Sequence, residues 1–117
     1  MSEDVWIVIP AYEEEAMIGS VIDGLKESGY DQIIVVDDGS EDRTGEVARS
    51  RGAVVVTHEV NSGLGAAIRT GLAEARSHGA DVAVTFDADG QHDPAEIEKL
   101  IAALDEADFA VGERKRN

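Results

Sequence analysis

The feature that most constrains this chain is a regular alternation of short, β-branched apolar runs with longer stretches of helical period. The runs are Val5 to Ile9, Ile33 to Val36, Ala53 to Thr57, Val82 to Phe86 and Phe109 to Val111. Between the first two, Ala16, Met17, Ile18, Val21, Ile22 and Leu25 recur at the spacing of one helix face, and the pattern stops near Gly29. Thr44 to Arg51 predicts a shorter helix stopped by Gly52, and Leu64 to His78 a third closed by Gly79. Asp93-Pro94-Ala95-Glu96 opens a fourth, with an N-cap aspartate, proline at the first helical position and glutamate three residues after the cap. Strands that alternate with helices build βαβ units, whose strands run mostly parallel and whose helices cover both faces of the sheet. The expected fold is therefore α/β, a three-layer sandwich.

Composition narrows the function classes. At 117 residues and 43% hydrophobic, the chain fits one compact domain with its own core. It has no cysteine, so disulfides and thiolate metal sites are excluded. Asp plus Glu number 25 against 10 Lys plus Arg, a net charge of -15 that repels nucleic acid and anionic lipid faces. Cationic partners, or anions bridged by a metal, stay compatible with that charge. Dense carboxylate with only three lysines is also the pattern of proteins adapted to high salt, and an ordinary acidic domain is the alternative. No apolar run approaches the ~20 residues of a membrane span. The start, Met1-Ser2-Glu3-Asp4, is acidic where a secretory signal is basic. The expectation is a cytoplasmic domain, at most gathered at the inner face of the cell membrane.

The polar residues that stand out come directly after strands. Pro10-Ala11-Tyr12-Glu13-Glu14 follows the first, Asp37-Asp38-Gly39-Ser40 the second and Asp87-Ala88-Asp89-Gly90-Gln91 the fourth. In an open parallel sheet, ligands bind outside the carboxyl ends of the strands where the strand order reverses. With the order 3-2-1-4 the first and fourth strands are neighbours at that reversal, and their loops converge on one crevice.

Each segment also has a plain structural explanation. Asp87 and Asp89, one residue apart at an extended strand end, point to the same side and can share a hard cation, with Gln91 as a neutral third oxygen; acids near a turn also form Asx-turns. In Asp37-Asp38-Gly39-Ser40, Gly39 supplies a positive φ and Ser40 is expected to cap the next helix, while a carboxylate there can accept from a base N–H or ribose hydroxyls. Glu13 and Glu15 are expected to offset the dipole of the first helix. Asn61-Ser62-Gly63-Leu64-Gly65 opens a helix: Ser62 reads as helix initiation and the glycines as positions of close backbone approach. As a dinucleotide fingerprint that segment fails, because it does not follow the first strand and carries Ile68 at the sixth position. His58, His78 and His92 show no ligand spacing and are expected on the surface or behind a site.

Taken together, Val8-Ile9-Pro10-Ala11-Tyr12-Glu13-Glu14, Ile34-Val35-Val36-Asp37-Asp38-Gly39-Ser40-Glu41-Asp42-Arg43-Thr44, Asn61-Ser62-Gly63-Leu64-Gly65-Ala66-Ala67-Ile68-Arg69-Thr70-Gly71 and Asp87-Ala88-Asp89-Gly90-Gln91-His92-Asp93-Pro94 resemble four blocks, in order, of glycosyltransferase family 2, the inverting enzymes with the Rossmann-like GT-A fold. The last two blocks look most like the polyprenyl-phosphate sugar transferases of the dolichyl-phosphate mannose or glucose synthase type. The resemblance covers residues 1–117 as a nucleotide-sugar-binding domain, with the family's acceptor half beyond it. It implies that Pro10, Ala11, Tyr12 and Glu14 line the nucleotide pocket and that Asp38, beside Asp37, binds the base. Gly63, Arg69, Asp87 and Ala88 would lie at the donor. Asp87, Asp89 and Gln91 would hold Mg²⁺ or Mn²⁺, and Asp89 and Arg114 would serve catalysis, Arg114 by contacting a phosphate. Glu13 departs from the Asn of many relatives, and Glu113 from the Ser of a Gly-Ser-Arg block.

The implied reaction is transfer of a sugar, with inversion, from a UDP- or GDP-sugar to an acceptor, a lipid phosphate by the nearest resemblance. A phosphate acceptor is already an anion and needs no strong base. Apolar area on the open side is expected to favour a homodimer. Two rival readings are a nucleotide-binding module without turnover and a phosphoacceptor receiver domain. In receivers the acid pair follows the first strand, whereas a complete βα unit, Val5 to Gly29, precedes Asp37 here, and the required Thr and Lys lack good candidates, since only Lys99 and Lys115 follow Asp87.

Overall fold

The computed structural model describes residues 4–88, residue 97 and residues 109–111. The elements run β1 (Val5–Ala11), α1 (Glu15–Glu27), β2 (Ile33–Asp37), α2 (Thr44–Ser50), β3 (Val54–Thr57), α3 (Leu64–Ser77), β4 (Val82–Thr85) and β5 (Phe109–Val111). The strands form one sheet in the order β3-β2-β1-β4-β5, and every neighbouring pair is parallel. The expected 3-2-1-4 core is present, with β5 added beside β4. Phosphoacceptor receivers share the flavodoxin-like order 2-1-3-4-5, so this topology removes that reading.

The period of two along each strand divides the core between two layers. Ile7, Ile9, Ile33, Val35, Val82 and Val84 face α1 and α2, where they meet Ile18, Ile22, Leu25 and Ala48. Trp6, Val8, Ile34, Val36 and Ala83 face the other way and meet Ala67 and Ala75 of α3. β1 and β2 are buried on both faces, which is why they read as continuous apolar runs. Ile97, helical and buried, joins the first layer, while the proposed helix start at Asp93-Pro94 lies outside the described residues.

Small residues let α3 lie flat on the sheet. Ala67, Gly71 and Ala75 recur every four residues along one stripe. A Cβ at Gly71 would stand 2.2 Å from Val8 Cγ1 and 3.2 Å from Val36 Cγ2, so the backbone there rests on the two central strands. On the opposite layer Arg51 lies over Gly19 of α1, donating to its carbonyl at 3.3 Å and pairing with Asp23. The expected helix stops Gly29, Gly52 and Gly79 all have left-handed φ.

Candidate functional site

The carboxyl ends of β1 and β2 are joined by the Asp38 amide, which donates to the Ala11 carbonyl at 2.8 Å. Beyond that point the two loops bind each other through side chains. The amides of Glu13, Glu14 and Glu15 donate in turn to Ser40 Oγ (2.8 Å), Thr44 Oγ1 (2.9 Å) and Asp42 Oδ2 (3.3 Å). In return the Arg43 amide donates to Glu15 Oε1 at 3.1 Å. The amides that lead into α1, from Glu13 to Glu15, are thus taken by the next loop. This corrects the expected role of Ser40, whose hydroxyl receives Glu13; the Thr44 amide at the start of α2 is received by Asp42 Oδ1 at 2.9 Å. Glu15 does stand in the first turn of α1, whereas Glu13 precedes the helix with φ 54°, the one left-handed non-glycine among the described residues.

Asp37 and Asp38 follow the strand alternation. Asp37 turns toward α2, where Oδ1 accepts the Ser40 amide at 3.0 Å and Oδ2 lies 2.8 Å from where a Cβ on Gly45 would stand. Asp37, expected at the donor, has its carboxylate in the Asx-turn and packed against α2. Asp38 turns toward α3 and is only 4% exposed. Its Oδ1 accepts from the Ser62 amide (2.9 Å) and contacts His58 Nδ1 (2.8 Å), and its Oδ2 accepts from the Gly63 amide (2.9 Å). Burial pushes this carboxyl up, but the Ser62 amide, the His58 ring and the Gly63 amide outweigh it and hold Asp38 below the usual carboxylate range. An ionised carboxylate offers about four lone-pair directions, so among the contacts of the described residues one on Oδ2 stays open.

Gly39 makes this arrangement possible. It has φ 79°, and a Cβ would stand 2.5 Å from the Asn61 amide nitrogen, so the 60–61 segment crosses directly over the turn. Asn61 Nδ2 donates to the Asp38 carbonyl at 3.2 Å. Ser62, expected to start α3, instead gives its amide to Asp38 and its hydroxyl to the Val60 carbonyl, and Gly63, with φ 100°, occupies the N-cap.

Together these loops border a cleft of about 210 Å³. Pro10, Ala11 and Tyr12 form one wall, Asp38 the floor, and Asn61, Gly63, Leu64 and Ala67 the other wall. Tyr12 and Leu64 stand at its mouth, 47% and 65% exposed. The charge of Glu13, foremost among several causes, raises the Tyr12 phenol above its usual value, so it remains a neutral donor. Five residues expected at the nucleotide (Pro10, Ala11, Tyr12, Asp38 and Gly63) do line the cleft. Sequence reasoning missed Asn61 and Leu64; an apolar residue at the first exposed position of an amphipathic helix was the available signal for Leu64.

Other expected site residues stand apart from this cleft. Glu14 is partly buried at the N-cap of α1 and is not part of the lining. Arg69 is exposed on α3, its guanidinium folded back to 3.6 Å from where a Cβ on Gly65 would stand. Asp87 is partly buried after β4, on the same sheet edge as the cleft. Ala88, expected at the donor, packs its methyl in the core layer of α1 and α2. Asp89, Gln91, His92, Glu113 and Arg114 lie outside the described residues. Among the described residues no three His, Cys, Asp or Glu side chains gather as a metal site, and the single described member of the expected set, Asp87, has the oxygen chemistry a hard cation takes. His78 stacks on Trp6, ring centroids 4.6 Å apart, and contacts Glu74, far from this chemistry. No helix among the described residues is long and apolar enough to cross a membrane.

Comparison with known proteins places this geometry. The family model described as glycosyl transferase family 2 matches residues 6–117. A UDP-N-acetylglucosamine–dolichyl-phosphate N-acetylglucosaminyltransferase of Methanococcus voltae is 40% identical, over 97% of this chain and 53% of its own length. An undecaprenyl-phosphate mannosyltransferase of Micrococcus luteus is 38% identical, over 95% of this chain and 48% of its own. The chain spans about half the length of the curated relatives it matches. Among solved structures, glucosyl-3-phosphoglycerate synthase from Mycobacterium tuberculosis, in complex with Mn²⁺, UDP-glucose and phosphoglyceric acid, superposes with a TM-score of 0.71 at 32% identity, covering 86% of this chain and 39% of that one. With the sheet order, the paired loops and the family match in agreement, the chain belongs to glycosyltransferase family 2 and has the GT-A fold in the part described.

Proposed function

We propose that the cleft receives the base and ribose of a nucleoside-diphosphate sugar, and that residues 1–117 form the donor-binding part of an inverting transferase whose acceptor is a polyprenyl or dolichyl phosphate. The observation that carries this reading is Asp38: an ionised carboxylate on the floor of a cleft, with three of its lone pairs occupied and one left on Oδ2. Such a group accepts but cannot donate, so it favours a base with a ring N–H at its pairing edge, as uracil has at N3 and guanine at N1, over one with a bare ring nitrogen there. Tyr12 supplies a ring wall for that base and Asn61 a polar one.

The cleft is smaller than the ~300–1,000 Å³ usual for a whole ligand, so the diphosphate and sugar would extend beyond it. Along the sheet edge lies Asp87, and Glu13 and Glu14 flank the β1 end. A diphosphate there meets carboxylates, with Arg69 as the cation nearest the start of α3 among the described residues. That charge balance supports a divalent cation held by Asp87, Asp89 and Gln91, which would neutralise the leaving diphosphate. Asp89 and Arg114 are proposed to serve the transfer step. The named activities of the relatives support a lipid-phosphate acceptor, and a domain acting on such an acceptor would work at the cytoplasmic membrane face.

Titration calorimetry with UDP and GDP tests the reading. Binding of at least one of them should tighten with Mn²⁺ or Mg²⁺ over EDTA, and Asp89→Asn should remove most of that gain. Equal affinity with and without metal would overturn the cation assignment, and no binding of either nucleotide would overturn the cleft assignment.

A further inference from the structure

Asp38 and the loop at 61–63 hold each other. The carboxylate accepts the Ser62 and Gly63 amides, and Asn61 Nδ2 reaches back to the Asp38 carbonyl. Asp38 follows β2 directly and Gly63 is the N-cap of α3, so these amides tie the end of one strand to the start of a helix. Among the described contacts of the Asp38 carboxylate, the one made by a side chain is His58, at the other end of the β3–α3 connection. Its backbone is pinned after β3, where its amide donates to the Asp37 carbonyl at 2.9 Å. Its ring spans from Asp38 Oδ1 to Thr70 Oγ1 on α3, 2.8 Å at each end.

The chemistry of the three groups sets the proton order. An ionised carboxylate only accepts, so His58 Nδ1 carries the hydrogen toward Asp38. In the neutral ring Nε2 then accepts from the Thr70 hydroxyl; in the protonated ring it donates to the same oxygen. Thr70 serves both states because a hydroxyl does either. The result is a strut from α3 through the imidazole to the cleft floor.

We propose that His58 is a positioning residue for base recognition: anchored by Thr70, it fixes the Asp38 carboxylate so that the remaining lone pair of Oδ2 faces the cleft. This rests on the reading of the cleft as a nucleotide site. His58 touches no base itself; it acts through Asp38. Without it Oδ1 gains a free lone pair, the carboxylate is held by the Ser62 and Gly63 amides alone, and the cleft's preference for a base bearing a ring N–H at the pairing edge weakens. Cytosine presents an acceptor at N3 where uracil presents N3–H, its own N–H lying instead on the neighbouring exocyclic N4, so the ratio of CDP to UDP dissociation constants reads the direction of that lone pair. A role confined to holding the fold would weaken both nucleotides alike and leave the ratio unmoved.

The test uses the full chain, calorimetry with UDP, GDP and CDP, and thermal melts as a fold control. His58→Ala should lower the preference for the better of UDP and GDP over CDP by about tenfold, the scale of one charge-assisted hydrogen bond. His58→Asn, whose Nδ2 stands where Nδ1 does, should restore most of it. His58→Gln, whose amide reaches toward Thr70 instead, should not. The contrast between Asn and Gln carries the test even where the alanine variant does not fold. Equal preference in the Asn and Gln variants, or a wild-type preference that His58→Gln leaves intact, overturns the role of His58 alone. A wild-type chain that binds none of the three nucleotides overturns the cleft reading and this role with it.

Discussion

Asp37 and Asp38 are adjacent in the chain and serve opposite layers of the molecule. Asp37 accepts the Ser40 amide on the side of α2, while Asp38 accepts the Ser62 and Gly63 amides and contacts His58 on the side of α3. One pleat of a strand separates a turn-forming carboxylate from a cleft-forming one.

That separation predicts distinct phenotypes. Asp38→Asn turns an NH₂ group toward donors and should weaken nucleotide binding tenfold or more, the equivalent of ~1.5–3 kcal/mol for a hydrogen bond to a charged group. Asp37→Asn should lower stability by about 1 kcal/mol and leave nucleotide affinity within twofold. Urea unfolding beside calorimetry checks both halves.

The flat seat of α3 predicts a packing penalty. Gly71→Ala would drive a methyl into Val8, a fully buried and β-branched residue that cannot swing away. Overpacking of this kind costs about 1–3 kcal/mol, and a loss at the upper end is expected because Val36 closes the other side. A fall in the urea midpoint at unchanged slope is the expected result.

Glu13 predicts a gain. At φ 54° a glutamate is strained by ~1 kcal/mol, whereas asparagine visits this region readily. Glu13→Asn should stabilise the chain by about 0.5–1 kcal/mol while its amide still donates to Ser40 Oγ. Thermal melts should show the midpoint rising by a few degrees.

Acid should unfold the cleft side through Asp38. Burial raises its carboxyl, but the Ser62 amide, His58 and the Gly63 amide win and lower it; Asp42 is lowered likewise, burial being outweighed by the hydroxyl and amide of Thr44 and the amide of Glu15. When the folded value lies below the unfolded one, the unfolded chain binds more protons and stability rises with pH. The contribution is therefore complete above the unfolded value of about 3.9 and disappears as pH falls through the lower folded values. Between about pH 5 and about pH 2, melting temperatures of Asp38→Asn should fall less steeply than those of the wild type.

The secondary elements and their order were legible because they rest on local chemistry. The apolar runs at Val5 to Ile9 and Ile33 to Val36 lie on strands buried on both faces, and glycines with left-handed φ end the helices where expected. The order 3-2-1-4 was an expectation, since it makes the first and fourth strands neighbours at a reversal where their loops share one crevice, and the strand pairing agrees with it. The identity of Tyr12 and Asp38 as cleft residues followed from the same logic. What each polar group binds was not legible. Ser40 reads as a helix cap and receives the amide of Glu13, 27 residues away; Ser62 reads as a helix start and serves Asp38; His58 carries no ligand spacing and joins β3 to α3 through Asp38 and Thr70. A helix period or a glycine stop depends on neighbours within a few residues. A hydrogen-bond partner depends on which loops the sheet sets side by side, and that was decided only when the strands paired.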